Sequence, residues 1–427
     1  MNLAQRDKAI IWHPYTQMQT APLPIGITRG EGALLFSEDG KTYLDAVSSW
    51  WVNIHGHAHP HIAQRVSQQL QTLEHVIFAG FTHEPAVELA ERLLKLLPTN
   101  QARVFYTDNG STAVEVALKM VLQYWFNQGV EKTKIIAFEG SYHGDTFGAM
   151  SVSERSVFTR PFQQYLFDVE FLPVPVPGKE EQTIERLQEL LQHGDIAAFI
   201  FEPLVLGTAG MVMYSPEVLD ELLRLCRKQK VMTIADEVMT GFGRTGKRFA
   251  MDYLTEQPDV MCFSKGITGG TMALGVTTCT QVIYNAFLSQ DKTKALFHGH
   301  SYTANPVACA ASLASLDLVE APEFLQNLER ITASHAAFAQ ELAGKEGIKE
   351  VRQTGTILAV EFEVGETSYF HNLRDVLYNF SLENGVLLRP LGNIVYALPS
   401  YCITPEQLAQ VYQTMEGMRQ LIVDGAF

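Results

Sequence analysis

The chain has 427 residues, 46% of them apolar and 19% charged, a composition that excludes collagen-like, disordered and coiled-coil classes. At this length two or three domains of ordinary size are expected, each with its own core. Thirty-two Lys and Arg stand against 47 Asp and Glu, a formal charge of −15 without any basic patch, which argues against a nucleic-acid partner. The five cysteines (Cys226, Cys262, Cys279, Cys309, Cys402) never form a CxxC pair. That favours a reducing compartment over a disulfide framework or a thiolate metal site. The start, MNLAQRDKAIIWHPY, lacks the basic head and apolar run of a secretory signal, and no stretch reaches the ~20 apolar residues of a membrane span. The expectation is a cytoplasmic protein without membrane contact.

In chain order, the first chemically unusual segment is HGHAHPH, which places His55, His57, His59 and His61 at alternate positions. Three such residues can hold zinc, but Gly56 and Pro60 break the extended run, so the expected role is loop packing and no metal. From Arg103 onward, short apolar runs alternate with amphipathic segments. The runs are Arg103–Thr107, Lys134–Phe138, Ile196–Phe201, Val231–Ala235, Val260–Phe263 and Leu274–Thr278, with helices expected over Thr112–Phe126 and Pro216–Gln229. Continuous apolar strands with intervening helices imply a mostly parallel sheet covered on both faces, whose ligands bind at the carboxyl ends of the strands. After Leu316 the pattern becomes that of a smaller α+β unit. Phe324, Leu328, Ile331, His335, Phe338 and Leu342 recur at helical spacing, followed by a strand at Thr356–Phe362, a helix near His371–Glu383, apolar runs at Val386–Leu388 and Ile394–Leu398, and a last helix opened by Thr404, Pro405 and Gln407. The expected division is a large α/β domain, 46–315, and a small α+β domain, 1–45 with 316–427.

The chemistry gathers after the runs. Asp236 closes one of them; an acid there is a cap, an ion pair or a ligand to a cationic group. Lys265 follows the next run and precedes GITGG, as a solvated loop lysine or as a Schiff-base nucleophile. The two together suit pyridoxal phosphate, with the lysine on its aldehyde and the aspartate on its ring nitrogen. Asp108-Asn109-Gly110-Ser111-Thr112 lies between strand and helix, as a plain cap or a phosphate cradle. Gly241–Lys247 approaches a nucleotide phosphate loop, but Arg248 stands where a hydroxyl is required. Adjacent Trp50 and Trp51, with Tyr15 and Tyr142, can wall an apolar channel or pack a core. Arg389, ending an apolar run, can clamp a substrate carboxylate or make an ion pair.

The segments DNGSTAVEVALK, SYHGDTFGAMS, ADEVMTGFGRTGK, FSKGITGG and HSYTANPVACAA closely resemble the class III pyridoxal-phosphate aminotransferases, nearly end to end. IWHPYTQM and SSWW look like the branch that aminates 8-amino-7-oxononanoate in biotin synthesis. The resemblance implies fold type I, with a mostly parallel seven-stranded sheet in the large domain, and a homodimer with its active site at the interface. It implies pyridoxal 5′-phosphate as cofactor, with Lys265 on the aldehyde, Asp236 on the pyridinium, Gly110 and Ser111 on the phosphate and Tyr142 on the ring. Gly299, His300 and Ser301 would reach the site of the neighbouring subunit, Glu202 would support the cofactor region, and Tyr15, Trp50, Trp51 and Arg389 would shape the keto-acid site. Two positions depart from the family pattern: His300-Ser301 replaces Pro-Thr, and Leu206 replaces Gln. The expected donor is S-adenosylmethionine. Lysine as donor, another class III ω-amino acid or diamine aminotransferase, and a metal hydrolase on the His55–His61 run are the alternatives.

Overall fold

Seven short runs pair into one sheet. In chain order they are β1 (Gln101–Thr107), β2 (Lys134–Phe138), β3 (Val169–Leu172), β4 (Ile196–Phe201), β5 (Met232–Asp236), β6 (Val260–Phe263) and β7 (Gly275–Thr280). Their order across the sheet is β1-β7-β6-β5-β4-β2-β3. The computed structural model describes residues 1–364 and 372–425. Every pairing from β6 through β3 is parallel, and β7 alone runs antiparallel to both its neighbours. The sheet is therefore mostly parallel, as expected, with one reversed strand.

Strands β4 to β7 are buried at every residue, and β4 and β6 accordingly read as unbroken apolar runs. Alternate side chains serve two layers. Ile135, Ala137, Ala198 and Ile200 pack with helix α1 (Gly110–Asn127), through Ala113, Val114, Ala117 and Val121. Ile136, Phe138, Phe199 and Phe201 pack on the other face with helix α2 (Pro216–Lys228), through Leu219, Leu222 and Leu223. Strand β3 was not anticipated: it is a short edge strand, VEFL, with only Leu172 fully buried.

Beyond the sheet, helix α3 (Pro322–Leu342) buries Phe324, Leu328, Ile331, His335, Phe338 and Leu342, the six periodic positions. Strands Ile348–Thr354, Ile357–Phe362 and Ile394–Ala397 form a second sheet. A third joins Ile27–Glu31, Leu34–Ser37 and Thr42–Asp45 to Val386–Leu387, so the first 45 residues meet the C-terminal part in space. The helix expected near His371 runs over Asn372–Glu383, and His371 lies outside the described residues. The final helix, Pro405–Val423, opens with the expected capping box, Gln407 N donating to Thr404 Oγ1 and Thr404 N to Gln407 Oε1. Among the described residues no helix is long and apolar enough to cross a membrane.

Candidate functional site

Strands β1, β5 and β6 point the same way, so the segments that follow them meet at one edge of the sheet. There they enclose a cavity of about 350 Å³ whose lining includes Gly110, Ser111, Tyr142, Glu202, Asp236 and Lys265, within the roughly 300–1,000 Å³ range of small-molecule sites. A larger hollow of about 700 Å³ lies at the opposite edge, beside the first residues of β4 and β5, away from these groups.

Asp236 is buried at the end of β5. Its Oδ1 accepts from Val238 N (3.1 Å) and its Oδ2 bonds His143 Nδ1 (2.7 Å). A carboxylate has about four acceptor positions, so Asp236 retains capacity for one more donor inside the cavity. Lys265 stands one strand over in a left-handed conformation (φ 47°), a strain of about 1–3 kcal/mol of the kind that collects at functional sites. Burial lowers its ammonium pKa, while the carboxylates of Asp236 and Glu202 oppose the shift. Its Nζ sits 5.0 Å from the centre of the Trp51 ring.

The anion end of the cavity is the start of α1. Asn109 Oδ1 accepts from Thr112 N and Asn109 N donates to Thr112 Oγ1. That box leaves the amides of Gly110 and Ser111, which have no helical partner, for an incoming acceptor. The space admits no further side chain. A Cβ at Gly110 would lie 2.8 Å from Val238 Cγ1, and one at Gly144 would lie 2.1 Å from Ser111 Oγ. Two free amides, a hydroxyl, a buried carboxylate and a lysine around one cavity fit a flat ring that carries a phosphate, a basic nitrogen and an aldehyde.

Glu202 is buried above the sheet and accepts from Tyr142 N and Gly207 N, each at 3.0 Å. Burial pushes its carboxyl up to about 7, partly offset by His143 and the two amides. It thereby fixes the backbone that presents Tyr142. Burial, hydrogen bonding with Tyr15 and the charge of Asp145 all raise the Tyr142 phenol. Leu206, at the position of departure from the family pattern, is fully buried in the core.

The mouth of the site is aromatic. The Tyr15 ring lies 5.8 Å from Trp50, and its hydroxyl donates to Asp145 Oδ2 at 2.5 Å. The Arg389 guanidinium sits 4.4 Å over the Trp50 ring and, among the described residues, pairs with no carboxylate. Trp51 points inward and its Nε1 donates to Tyr396. Gly299, His300 and Ser301 lie outside the lining of their own chain's cavity, on the loop before the helix Pro306–Glu320.

Three polar groups of this region were missed by sequence reasoning: His143, Asp145 and Arg244. Arg244 is fully buried and donates to the carbonyls of Pro399 (2.7 Å), Leu398 and Trp51. The only signal for any of them was a place beside a turn glycine in a motif already singled out. The Gly241–Lys247 loop follows β5, and Lys247 Nζ donates to Asp252 O. Of the four alternating histidines, His55 and His59 meet edge to face with ring centroids 6.2 Å apart, and the other partners differ. His55 bonds Ser315, and burial brings it down to about 3; His57 bonds Asp45 and His61 bonds Asp317. Among the described residues no group of three or more His, Cys, Asp or Glu could hold a metal ion.

Comparison with known proteins supplies the context. The family aminotransferase class-III matches residues 15–418. The chain is 48% identical to an adenosylmethionine-8-amino-7-oxononanoate aminotransferase of Synechococcus elongatus, over 94% of this chain and 96% of that protein. It is similar in structure to the crystal structure of the enzyme of the same name from Methanocaldococcus jannaschii, with a TM-score of 0.93, 33% identity, and 99% and 98% of the two chains covered. An amine transaminase from an uncultivated Pseudomonas species, solved in its PLP-bound form, aligns with a TM-score of 0.91 at 30% identity, covering 96% and 98% of the chains.

Proposed function

The chain belongs to the class-III aminotransferases, and from that membership we propose its reaction: it transfers the amino group of S-adenosylmethionine to the ketone of 8-amino-7-oxononanoate, giving 7,8-diaminononanoate for biotin synthesis. The cofactor is pyridoxal 5′-phosphate, which supplies an electron sink and an amine carrier, so that donor and acceptor use one pocket in ping-pong order. Lys265 would hold its aldehyde carbon, Asp236 its ring nitrogen, Gly110 and Ser111 its phosphate, and Tyr142 its ring face.

The work of the protein's own groups follows from their surroundings. Lys265 Nζ, whose charged form burial disfavours, takes and returns the proton at the amine-bearing carbon of each substrate. Asp236, oriented by His143, keeps a proton on the ring nitrogen. Tyr15 and Trp50 shield the alkyl chain of the keto acid, and Arg389 binds its carboxylate. The observation that carries the substrate reading is the Arg389 guanidinium lying over Trp50 with no carboxylate of its own among the described residues. An apolar chain ending in a carboxylate is its complement.

A homodimer completes this reading. Gly299, His300 and Ser301 would serve the cofactor phosphate and substrate of the neighbouring subunit, and their place outside their own chain's cavity supports that role. The cysteines, all five free and four of them buried, support a cytoplasmic setting. The pairing of Thr42–Asp45 with Val386–Leu387 supports a small domain of 1–45 with 316–427 beside a large one of 46–315. The test is direct. Purified protein with pyridoxal phosphate, 8-amino-7-oxononanoate and S-adenosylmethionine should form 7,8-diaminononanoate by mass spectrometry. Product with lysine but not S-adenosylmethionine would replace the donor, and amination of other carbonyl substrates alone would replace the substrate.

A further inference from the structure

The alternating histidines contain one residue with a use beyond packing. We propose that His57, acting through Asp45, is a positioning residue that sets the aromatic wall of the substrate site; the substrate named in its test rests on the reaction proposed above.

Asp45 ends the strand Thr42–Asp45 and is only 1% exposed, so its carboxylate must be met by donors. Its Oδ1 accepts from Val47 N (3.2 Å), and its Oδ2 accepts from Ser49 N (2.7 Å), Ser49 Oγ (3.3 Å) and His57 Nε2 (2.8 Å). The donors from Val47 and Ser49 belong to the turn that follows. Wrapping that turn around one carboxylate places Ser48 (φ 50°), Ser49 (φ 61°) and Trp51 (φ 68°) in the left-handed region. Three such residues among four, none of them glycine, persist only when the surroundings over-determine them. Ser48 Oγ is held by the Leu398 carbonyl and the Trp51 carbonyl by Arg244.

The product of this turn is a division of labour between neighbours. Trp50 faces the mouth, against Tyr15 and Arg389, while Trp51 faces the interior beside Lys265. An unstrained turn would place the two rings differently. His57 is anchored independently of the turn. Its N donates to Gly32 O (2.7 Å) and its O accepts from Gly32 N (3.2 Å). Gly30 leaves no slack beneath it, since a Cβ there would lie 2.7 Å from His57 Cβ. The imidazole thus ties the N-terminal sheet to the carboxylate, and the carboxylate to the wall. His57 is not part of the cavity lining, and its side chain meets the turn through the Asp45 carboxylate.

The experiment places His57→Leu and His57→Gln in the native chain and in Trp50→Ala. His57→Leu should raise the KM for 8-amino-7-oxononanoate about ten-fold with kcat within about two-fold, a loss on the scale of a small misplacement of a positioning group. It should also increase acrylamide quenching of tryptophan fluorescence, measured without substrate. His57→Gln keeps an N–H donor and should recover most of both. In the Trp50→Ala background the KM change should be lost and the quenching change reduced to what Trp51 contributes. Equal effects in both backgrounds, or unchanged quenching and KM, would overturn the proposal. If His57→Leu does not fold, Asp45→Asn, which leaves one of the four donors facing an amide N–H, should give the same signature in weaker form. Insolubility of both would make the pair a fold element and likewise overturn it. Failure of the wild type to turn over the keto acid, with the quenching pattern intact, would remove the substrate assignment but not the positioning role.

Discussion

The two halves of the site are built by different means. The proposed cofactor half is made of Asp236, which ends a buried strand, of Lys265, just beyond the end of the next, and of the start of a five-turn helix, Gly110 and Ser111. Its donors are backbone amides and groups locked by partners, such as His143 on Asp236 and the two amides on Glu202. The proposed substrate half comes from three remote segments that carry Tyr15, Trp50 and Arg389. Trp50 and Tyr15 are 39% and 43% exposed, and Tyr15 shares the left-handed backbone of the Ser48–Trp51 turn. One half is set by the sheet and cannot move without it. The other is a set of packed rings around a guanidinium that pairs with no carboxylate among the described residues, an arrangement proposed to serve two unlike substrates in turn. If this contrast is right, substitutions in the two halves should fail in different observables.

The largest effect is expected at Lys265. Lys265→Ala should reduce both half-reactions by at least about 10³-fold, the scale of losing a positioned general acid-base group. Keto-acid binding, followed by tryptophan fluorescence, should survive because the wall does not depend on that ammonium. Equal loss of binding and turnover would show that the halves are not separable. Arg389→Ala is the converse. Orphaning the substrate carboxylate should lower keto-acid kcat/KM by about 2–5 kcal/mol, while the half-reaction with the amine donor, read from the cofactor absorbance, suffers much less. Arg389→Lys should recover only part, because a point charge does not reproduce bidentate geometry. A uniform fall in both half-reactions would remove the carboxylate role.

The same contrast explains what could be read from the sequence. Strands β4 and β6 were legible to the residue because both of their faces are buried, so nothing polar interrupts the run. Strand β3 and the strand Ile348–Thr354 were not, because they are partly exposed and carry charges such as Glu170 and Arg352. The α3 periodicity translated directly into burial, since one stripe of that helix meets the core. In the site, Asp236 and Lys265 stood out because charged residues are unexpected directly after fully apolar runs. The meeting of Tyr15, Trp50 and Arg389 depends on tertiary placement that no local spacing encodes; the residues offered Tyr15 and the tryptophans as one channel wall, and the resemblance joined Arg389 to them. His143 and Arg244 were invisible for a related reason. An Arg that is fully buried and one in solvent read alike in a sequence.

The smallest effect tests how self-contained the cofactor half is. Glu237 follows Asp236 but faces the interior, where its Oε2 accepts from Thr240 Oγ1 (2.6 Å) and its Oε1 from Met251 N (2.8 Å). Burial pushes its carboxyl from 4.5 up to about 7. The folded chain therefore holds this proton where the unfolded chain has lost it, so the group's contribution is complete below about pH 4.5 and is lost as pH rises through about 7. At 1.36 kcal/mol per unit this difference is about 3 kcal/mol, and Glu202 acts with the same sign. Glu237→Gln removes the titration and keeps both bonds, because the Thr240 hydroxyl can turn to accept. The melting temperatures of variant and wild type should agree near pH 5, and the decline toward pH 8 should be shallower in the variant, with turnover unchanged at either pH. An unaltered decline would show that Glu237 does not hold its proton in this range. Reduced turnover or a shifted cofactor spectrum would show that the interior side of β5 is coupled to Asp236, and the cofactor half would then extend one residue deeper than the cavity that defines it.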